Sequence, residues 1–555
     1  MPLRDRLRRL LRRPAAARSP APPTPRAAVT RDPVQIVLDY HHATMHHPHR
    51  YARGPGFMDW DSQPDPFLRF DGAPVHTLPL STVETSVKYE SSFLEDHVPA
   101  APISLASVAQ LLQDSLGLSA WKQAGEATWA LRVNPSSGNL HPTEGYLLAG
   151  SIDGLHDDAA VYHYAPHEHA LERRRSLPAD GLPPGCVLIG LSSIPIRESW
   201  KYGERAFRYC QHDVGHAIAA VSIAAAGLGW RCRLVDGLAD ADLAVLLGLG
   251  GAGPEAEHPD ALLLIGPSLP DWDPAGLRGT APLLGSALPL ATAHQQWRII
   301  DAVAEATAGT IARPAAPRAD NPCLDTSPSP LALRAIIHQR RSAVDMDGRT
   351  GITADSFFQI LARLMPGAGQ VPVSTLSAEP LVELALFVHR VQGVSPGLYL
   401  LSRNAARLEA LRESMSADFA WSPVAEAPDG MPLYRLKDGD CRGIASGLSC
   451  GQAIAGEGCF AVAMLAWLEP ALRAHGPGMY RHLHWEAGLL GQVLYLEAEA
   501  TGIRGTGIGC FFDADTHRFL GIKTPILRDL YHFTLGGPVE DTRLQTLPPY
   551  THLRR

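Results

Sequence analysis

Apolar residues collect in a few long runs. The longest is Val214–Trp230, interrupted by His216 and followed by Arg231 and Arg233. It falls short of the ~20 residues a bilayer span needs, so it reads as a buried helix. Val214–Leu228 and Ala487–Thr501 are both apolar on most faces. Helices of that kind must be covered on several sides, and a dimer-like seam would bury both. Shorter runs, Cys186–Leu191, Leu384–His389 and Tyr146–Ala149, have the length of buried strands. Leu331–Gln339 is amphipathic and His294–Ala308 reads as helical. The pattern predicts a mixed α and β protein.

The two long apolar helices belong to a repeat. Arg208–Leu249 lies on Arg481–Ile522 without a gap, at a constant offset of 273 residues. Arg208 falls on Arg481, Gly215 on Gly488, Gly229 on Gly502 and Arg231 on Arg504. Asp240-Ala241-Asp242 falls on Asp513-Ala514-Asp515. YHYAPHEHALE from Tyr162 recurs as YLLSRNAARLE from Tyr399, and LLLIGP from Leu262 as FTLGGP from Phe533. Recurrence in the same order predicts a duplication with two large copies, which gives an intramolecular dimer and not a solenoid. Pro314–Pro330 is dense in Pro and Ala and reads as a linker. The expected division is a basic disordered tail over 1–33, half one with a His-rich block over 34–285, a linker with a helix over 286–330, and half two over 331–555.

Composition narrows the classes. At 45% hydrophobic and 19% charged, the chain is typical of a soluble globular protein, and its net charge of −8 is mild for 555 residues. Neither nucleic acid nor an acidic surface is implied as a partner. Eight cysteines contain no Cys-x-x-Cys pair. Reduced thiols in a cytoplasmic protein fit this better than disulfides or a zinc cage. The Arg-rich N-terminus lacks the apolar core of a secretory signal. A helix with Arg6, Arg9, Arg12 and Arg13 on one face would be a surface-binding segment. A disordered tail is the simpler reading of the same residues.

Three short motifs carry candidate chemistry. Arg340, Arg341 and Ser342 end the amphipathic Leu331–Gln339 stretch. Forked guanidinium donors and a hydroxyl suit phosphate, although such a triplet alone reads as a surface patch. LRVNPSSGNLHPTE, Leu131–Glu144, places Arg132 ahead of Pro135, Ser136, Ser137, Gly138 and Asn139. Short polar groups with a permissive glycine can hydrogen-bond the edge of a planar heterocycle, or simply form a turn. Lys201-Tyr202 offers a base and a proton relay, or an ordinary surface pair. His41, His42, His46, His47 and His49 match no metal-cage spacing and read as a structural or lid element, with Trp60, Phe67 and Phe70 packing it down. His212 and His216, one helical turn apart, read as satisfied interface histidines.

Together these motifs resemble the FMN-dependent nitroreductase superfamily, and within it the SagB-type, azoline oxidase-like dehydrogenases, from about Val34 to the end. The resemblance implies an α+β fold of two tandem nitroreductase-like α-β-α modules, with flavin at their interface. It implies a phosphate grip by Arg340, Arg341 and Ser342, completed by Arg543. It assigns Pro135–Asn139 and Arg132 to the flavin ring, with Gly509 and Cys510 at its reactive edge. Lys201 or Tyr202 would remove a proton while hydride passes from substrate to FMN. Half one lacks the Arg-Arg-Ser, and half two reads MPGAGQVP (Met365–Pro372) where the serine loop is expected. One FMN per chain follows. The expected substrate is a small molecule or a peptide, with a modifying complex as a partner, no metal, and a monomeric pseudo-dimer. An NAD(P)H-dependent nitro or quinone reductase and a non-catalytic scaffold on the same fold stay open as alternatives.

Overall fold

A computed structural model describes residues 31–81, 87–178, 181–250, 253–277, 279–310, 316, 318–324 and 331–553. Residues 1–30 of the expected tail and most of the Pro-rich linker lie outside them.

Two seven-stranded antiparallel sheets form the frame. In the first, Ala160–Ala165, Thr143–Ala149, Val187–Ser193, His258–Gly266 and Arg231–Leu234 are neighbours in that order. In the second, Gly397–Leu401, Val382–Val388, Phe460–Ala466, Arg528–Gly536 and Arg504–Ile508 repeat it. The central strands are buried on both faces, as their continuous apolar runs require. The fold is α+β, two tandem modules of one topology arranged as an intramolecular pseudo-dimer.

The seam is built by two helices of 22 residues, Ala206–Gly227 and Met479–Ala500. Each begins before its apolar run, because Arg208 and Gln211 in the first and Tyr480 and Arg481 in the second are buried with partners across the seam. Gly215 and Gly488, equivalent in the repeat, meet where the helices cross. A Cβ on Gly215 would lie 2.9 Å from Gly488 Cα, and one on Gly488 would lie 2.2 Å from His212 O. Only glycine permits this approach. Trp485 Nε1 donates to Gln211 Oε1 at 2.7 Å beside it. One continuous apolar core runs through both modules.

The ends of the chain tie the modules further. The His-rich block opens as the helix Pro33–Ala43, capped by Asp32, with Pro33 in its first turn. His41 is fully buried against Tyr480, with Nδ1 and the tyrosine hydroxyl 3.2 Å apart. Phe70 is buried, while Trp60 is 65% exposed, its ring 5.4 Å from that of Trp200. Arg298–Thr307, the helix expected within His294–Ala308, packs on Pro33–Ala43. At the other end Gln545–Leu547 crosses to the first module and pairs with the hairpin Leu118–Ala124/Ala127–Arg132. Tyr550 anchors this arm by accepting from Leu118 N at 2.9 Å.

Candidate functional site

A cavity of about 600 Å³ opens at the seam, within the range of cofactor pockets. The first module contributes the Pro135–Asn139 loop, the hairpin carrying Lys122, and Tyr202, Tyr209, Asp213 and His216. The second contributes Arg340–Ser342, Tyr495, Arg504, Tyr531 and the Gly507–Cys510 turn. The two separated sequence motifs therefore line one space.

Cations gather at one end. Arg340 leaves the helix Leu333–Gln339 as its C-cap, donates from Nη2 to Arg132 O at 3.0 Å and stacks 5.0 Å over Tyr495. Its buried Nε has no hydrogen-bond partner. Arg341 donates to the carbonyls of His338, Arg340 and Ser119. Burial, then Arg340, pushes its guanidinium down to about 10. Lys122 is lowered by burial and by Arg341. Mutual repulsion of this kind is relieved by a bound anion. Ser342 Oγ meets Tyr495 OH at 2.9 Å, and the same hydroxyl accepts from Gly507 N at 3.1 Å.

The loop is rigid. Gly138 and Asn139 both have φ of 60°. Ser136 Oγ accepts from Leu140 N and His141 N at 3.1 and 2.7 Å. Ser137 donates its backbone N–H and its hydroxyl to Asp213. Both serines thus shape the loop. Asn139 Nδ2 donates to Ala130 O at 2.9 Å. Arg132, fully buried, donates to Thr143 O, and burial lowers it to about 10.

Lys201 and Tyr202 end the helix Pro195–Tyr202 beside the loop. A Cβ on Gly138 would meet Tyr202 OH at 2.5 Å and Lys201 Nζ at 3.1 Å. Tyr202 lines the cavity, and burial followed by Glu198 raises its hydroxyl, which stays protonated. Lys201 stands against the loop outside that lining. Beneath them lie two buried carboxyls, Glu198 and Asp213. Burial raises both, and the negative charge of Asp213 adds to the rise of Glu198. Like charges so close cannot both ionise, so the pair holds a proton. Gly509 O accepts from Tyr209 OH and Arg205 Nη2, each at 3.1 Å, and Cys510 follows on the rim.

Three expectations change. Arg543 does not join the cations. Its side chain is 86% exposed and paired with Asp541, two residues away. Lys122 and Arg504 stand there instead. His212 is not satisfied: neither ring nitrogen has a partner, and the ring stacks 4.4 Å from Tyr531. Met365–Pro372 is not the counterpart of the serine loop. The equivalent of Asp213 is Glu486, and it accepts from Leu381 N and Val382 N. Val373–Pro380 occupies the corresponding place. Arg318 fills it, donating to Val373 O and Ala378 O, and only about 20 Å³ remains.

Among the described residues, no group of three or more His, Cys, Asp or Glu side chains could hold a metal, and no helix is long and apolar enough to cross a membrane.

The class that this architecture defines is the nitroreductase fold. A candidate nitroreductase from Anabaena variabilis ATCC 29413 aligns over both modules, with a TM-score of 0.64 and 22% identity, covering 91% of this chain and 99% of that one. The E. coli microcin synthetase McbBCD complex with truncated pro-MccB17 bound contains a chain matched at a TM-score of 0.27 and 18% identity, over 43% of this chain and 94% of that one. A candidate nitroreductase from Ralstonia eutropha JMP134 matches at 0.27 and 17%, over 38% and 95%. No protein-family model matches the chain, and no curated protein matches it.

Proposed function

We propose that this chain is an FMN-dependent oxidoreductase with one flavin per chain, working as a SagB-like dehydrogenase on an azoline-type substrate. The observation that carries the reading is the composite cavity: a cation end built on Arg340 and Arg341 of module two faces a hydrogen-bonded polar loop from module one, while the related position is filled by Arg318. FMN has a dianionic tail and a planar, hydrogen-bonding ring. The orphaned Arg340 Nε and the repelling cations fit the tail. The loop and the Gly509–Cys510 backbone fit the ring. Arg340, Arg341, Ser342, Lys122 and Arg504 would hold the phosphate, and Pro135–Asn139 and Arg132 the ring side.

Bound FMN supplies two-electron redox chemistry; the protein supplies position and proton transfer. Removal of the substrate proton is assigned to the Lys201-Tyr202 pair beside the loop, of which Tyr202 lines the cavity. We take residues 34–285 and 331–555 as the two modules, joined by 286–330. With both sides of the seam in one chain, the protein works as a monomer in the cytoplasm, on a small molecule or on a peptide presented by a modifying complex.

Flavin titration of the purified chain tests this. One FMN per chain, lost on Arg340→Ala with Ser342→Ala, is expected. Two FMN per chain overturn the single composite site. Rapid anaerobic bleaching by NADPH, with none by an azoline-containing peptide, replaces the dehydrogenase with a nicotinamide-dependent reductase.

A further inference from the structure

Cys510 lies on the cavity rim, after the strand Arg504–Ile508, and Cys450 lies just after the helix Arg442–Leu448. Sixty residues apart in sequence, their Sγ atoms are 2.6 Å apart. Their backbones are already fastened. Phe512 N donates to Leu448 O at 2.8 Å, and Gln452 Nε2 donates to Cys510 O at 3.0 Å. Closing a bond between the sulfurs therefore needs little backbone movement, which is the main geometric demand of a disulfide. Both side chains are half-buried, so a small molecule can reach them. Cys450 has a φ of 57°, a conformation that non-glycine residues hold mainly where surroundings impose it.

We propose that Cys450 and Cys510 form a thiol–disulfide exchange site at the rim of the cavity, with low-molecular-weight disulfides as its substrate class. Cys510 is the attacking group. It is the one of the two that lines the cavity, and the hydrogen bonds from Cys450 and His46 with the charge of Arg205 lower its thiol. The Cys510 thiolate attacks one sulfur of the small disulfide; that S–S bond breaks, one small thiolate leaves, and a mixed disulfide forms. Cys450 then loses its proton and attacks Cys510 Sγ, expelling the second small thiolate. Two protein thiols are oxidised to one disulfide, and one small disulfide is reduced to two thiols. The two protons released by the cysteines end on those thiols. Oxidation ties the Cys450 turn covalently to the cavity rim.

The test uses the full chain with glutathione disulfide, digested without reduction and read by mass. A Cys450–Cys510 cross-linked peptide, reversed by dithiothreitol, is expected. Cys450→Ser accumulates one glutathionyl group on Cys510, whereas Cys510→Ser leaves Cys450 unmodified. Iodoacetamide labels Cys510 about tenfold faster than Cys323, which is also half-buried and is raised by its burial. Absence of the cross-linked peptide overturns the proposal, and so does labelling of Cys323 as fast as Cys510 in the native chain. Mass readouts are independent of flavin, so they stand whether or not FMN binds.

Discussion

Arg208 of the first module and Asp513 of the second are bound at 2.8 Å, both almost wholly buried. Their repeat equivalents return the contact: Arg481 meets Asp240 at 2.6 Å. Each module thus lends an arginine to its partner's aspartate, which is how a two-fold dimer interface reads when both copies share one chain.

Asp513 also takes Arg205 and His46 N. Asp513→Ala leaves two buried arginines without their carboxylate and costs about 3–5 kcal/mol. Burial alone would raise this carboxyl, but Arg205 and Arg208 outweigh it and hold it below the usual range. Its contribution is therefore complete above an unfolded value of about 4 and is lost as pH falls toward the lower folded value. Urea midpoints across a pH series measure this. An acid limb as steep in Asp513→Asn as in the parent would rule it out.

The crossing glycines give a second expectation. A Cβ on Gly488 meets backbone, His212 O, which cannot step aside. Gly488→Leu destabilises by about 3 kcal/mol or more. Gly443, in the helix Arg442–Leu448, has nothing within 4 Å of its would-be Cβ. Gly443→Ala is neutral or stabilising by up to about 1 kcal/mol. Equal melting temperatures for the two variants would contradict the close approach.

Much of this was legible in sequence. The apolar runs located both seam helices, and the offset of 273 paired Gly215 with Gly488 and Arg208 with Arg481, residues that do define the seam. Contiguous motifs such as Pro135–Asn139 and Arg340–Ser342 were visible because each lies on one segment. Lys122 was not, because its place depends on the hairpin Leu118–Arg132 pairing with Gln545–Leu547 some 420 residues on. Arg543 misled because spacing shows a charge and not its direction; Asp541 takes it. The carboxyl pair Glu198–Asp213 joins two helices that sequence separates, so nothing local marked it.

That pair predicts a pH effect opposite to Asp513. Burial raises Asp213 in the folded protein, so the folded state binds a proton that the unfolded chain has released. Stability falls as pH rises from about 4 through the raised value, then levels off. Asp213→Asn keeps an acceptor for Ser137 and removes Asp213's share of the titration, leaving that of Glu198. Its urea midpoint is expected to decline less across that window than the parent's. A parent midpoint that climbs with pH there would refute the shared proton.

The cations missed by sequence separate a phosphate site from a general flavin site. Arg504 lines the cavity and is 26% exposed, held by Glu540 at 2.7 Å; Lys122 donates to Thr546 Oγ1 at 2.7 Å across the cavity's arm. Removing either takes one charge-assisted contact from an anion, worth about tenfold in affinity. Arg504→Ala and Lys122→Ala should each weaken FMN by about that factor and leave riboflavin unchanged, because riboflavin lacks the phosphate. Arg543→Ala, whose guanidinium points to solvent, should alter neither. Fluorescence titration with both flavins decides it: riboflavin weakened as much as FMN, or a larger FMN loss in Arg543→Ala than in Arg504→Ala, would move the anion site away from these residues.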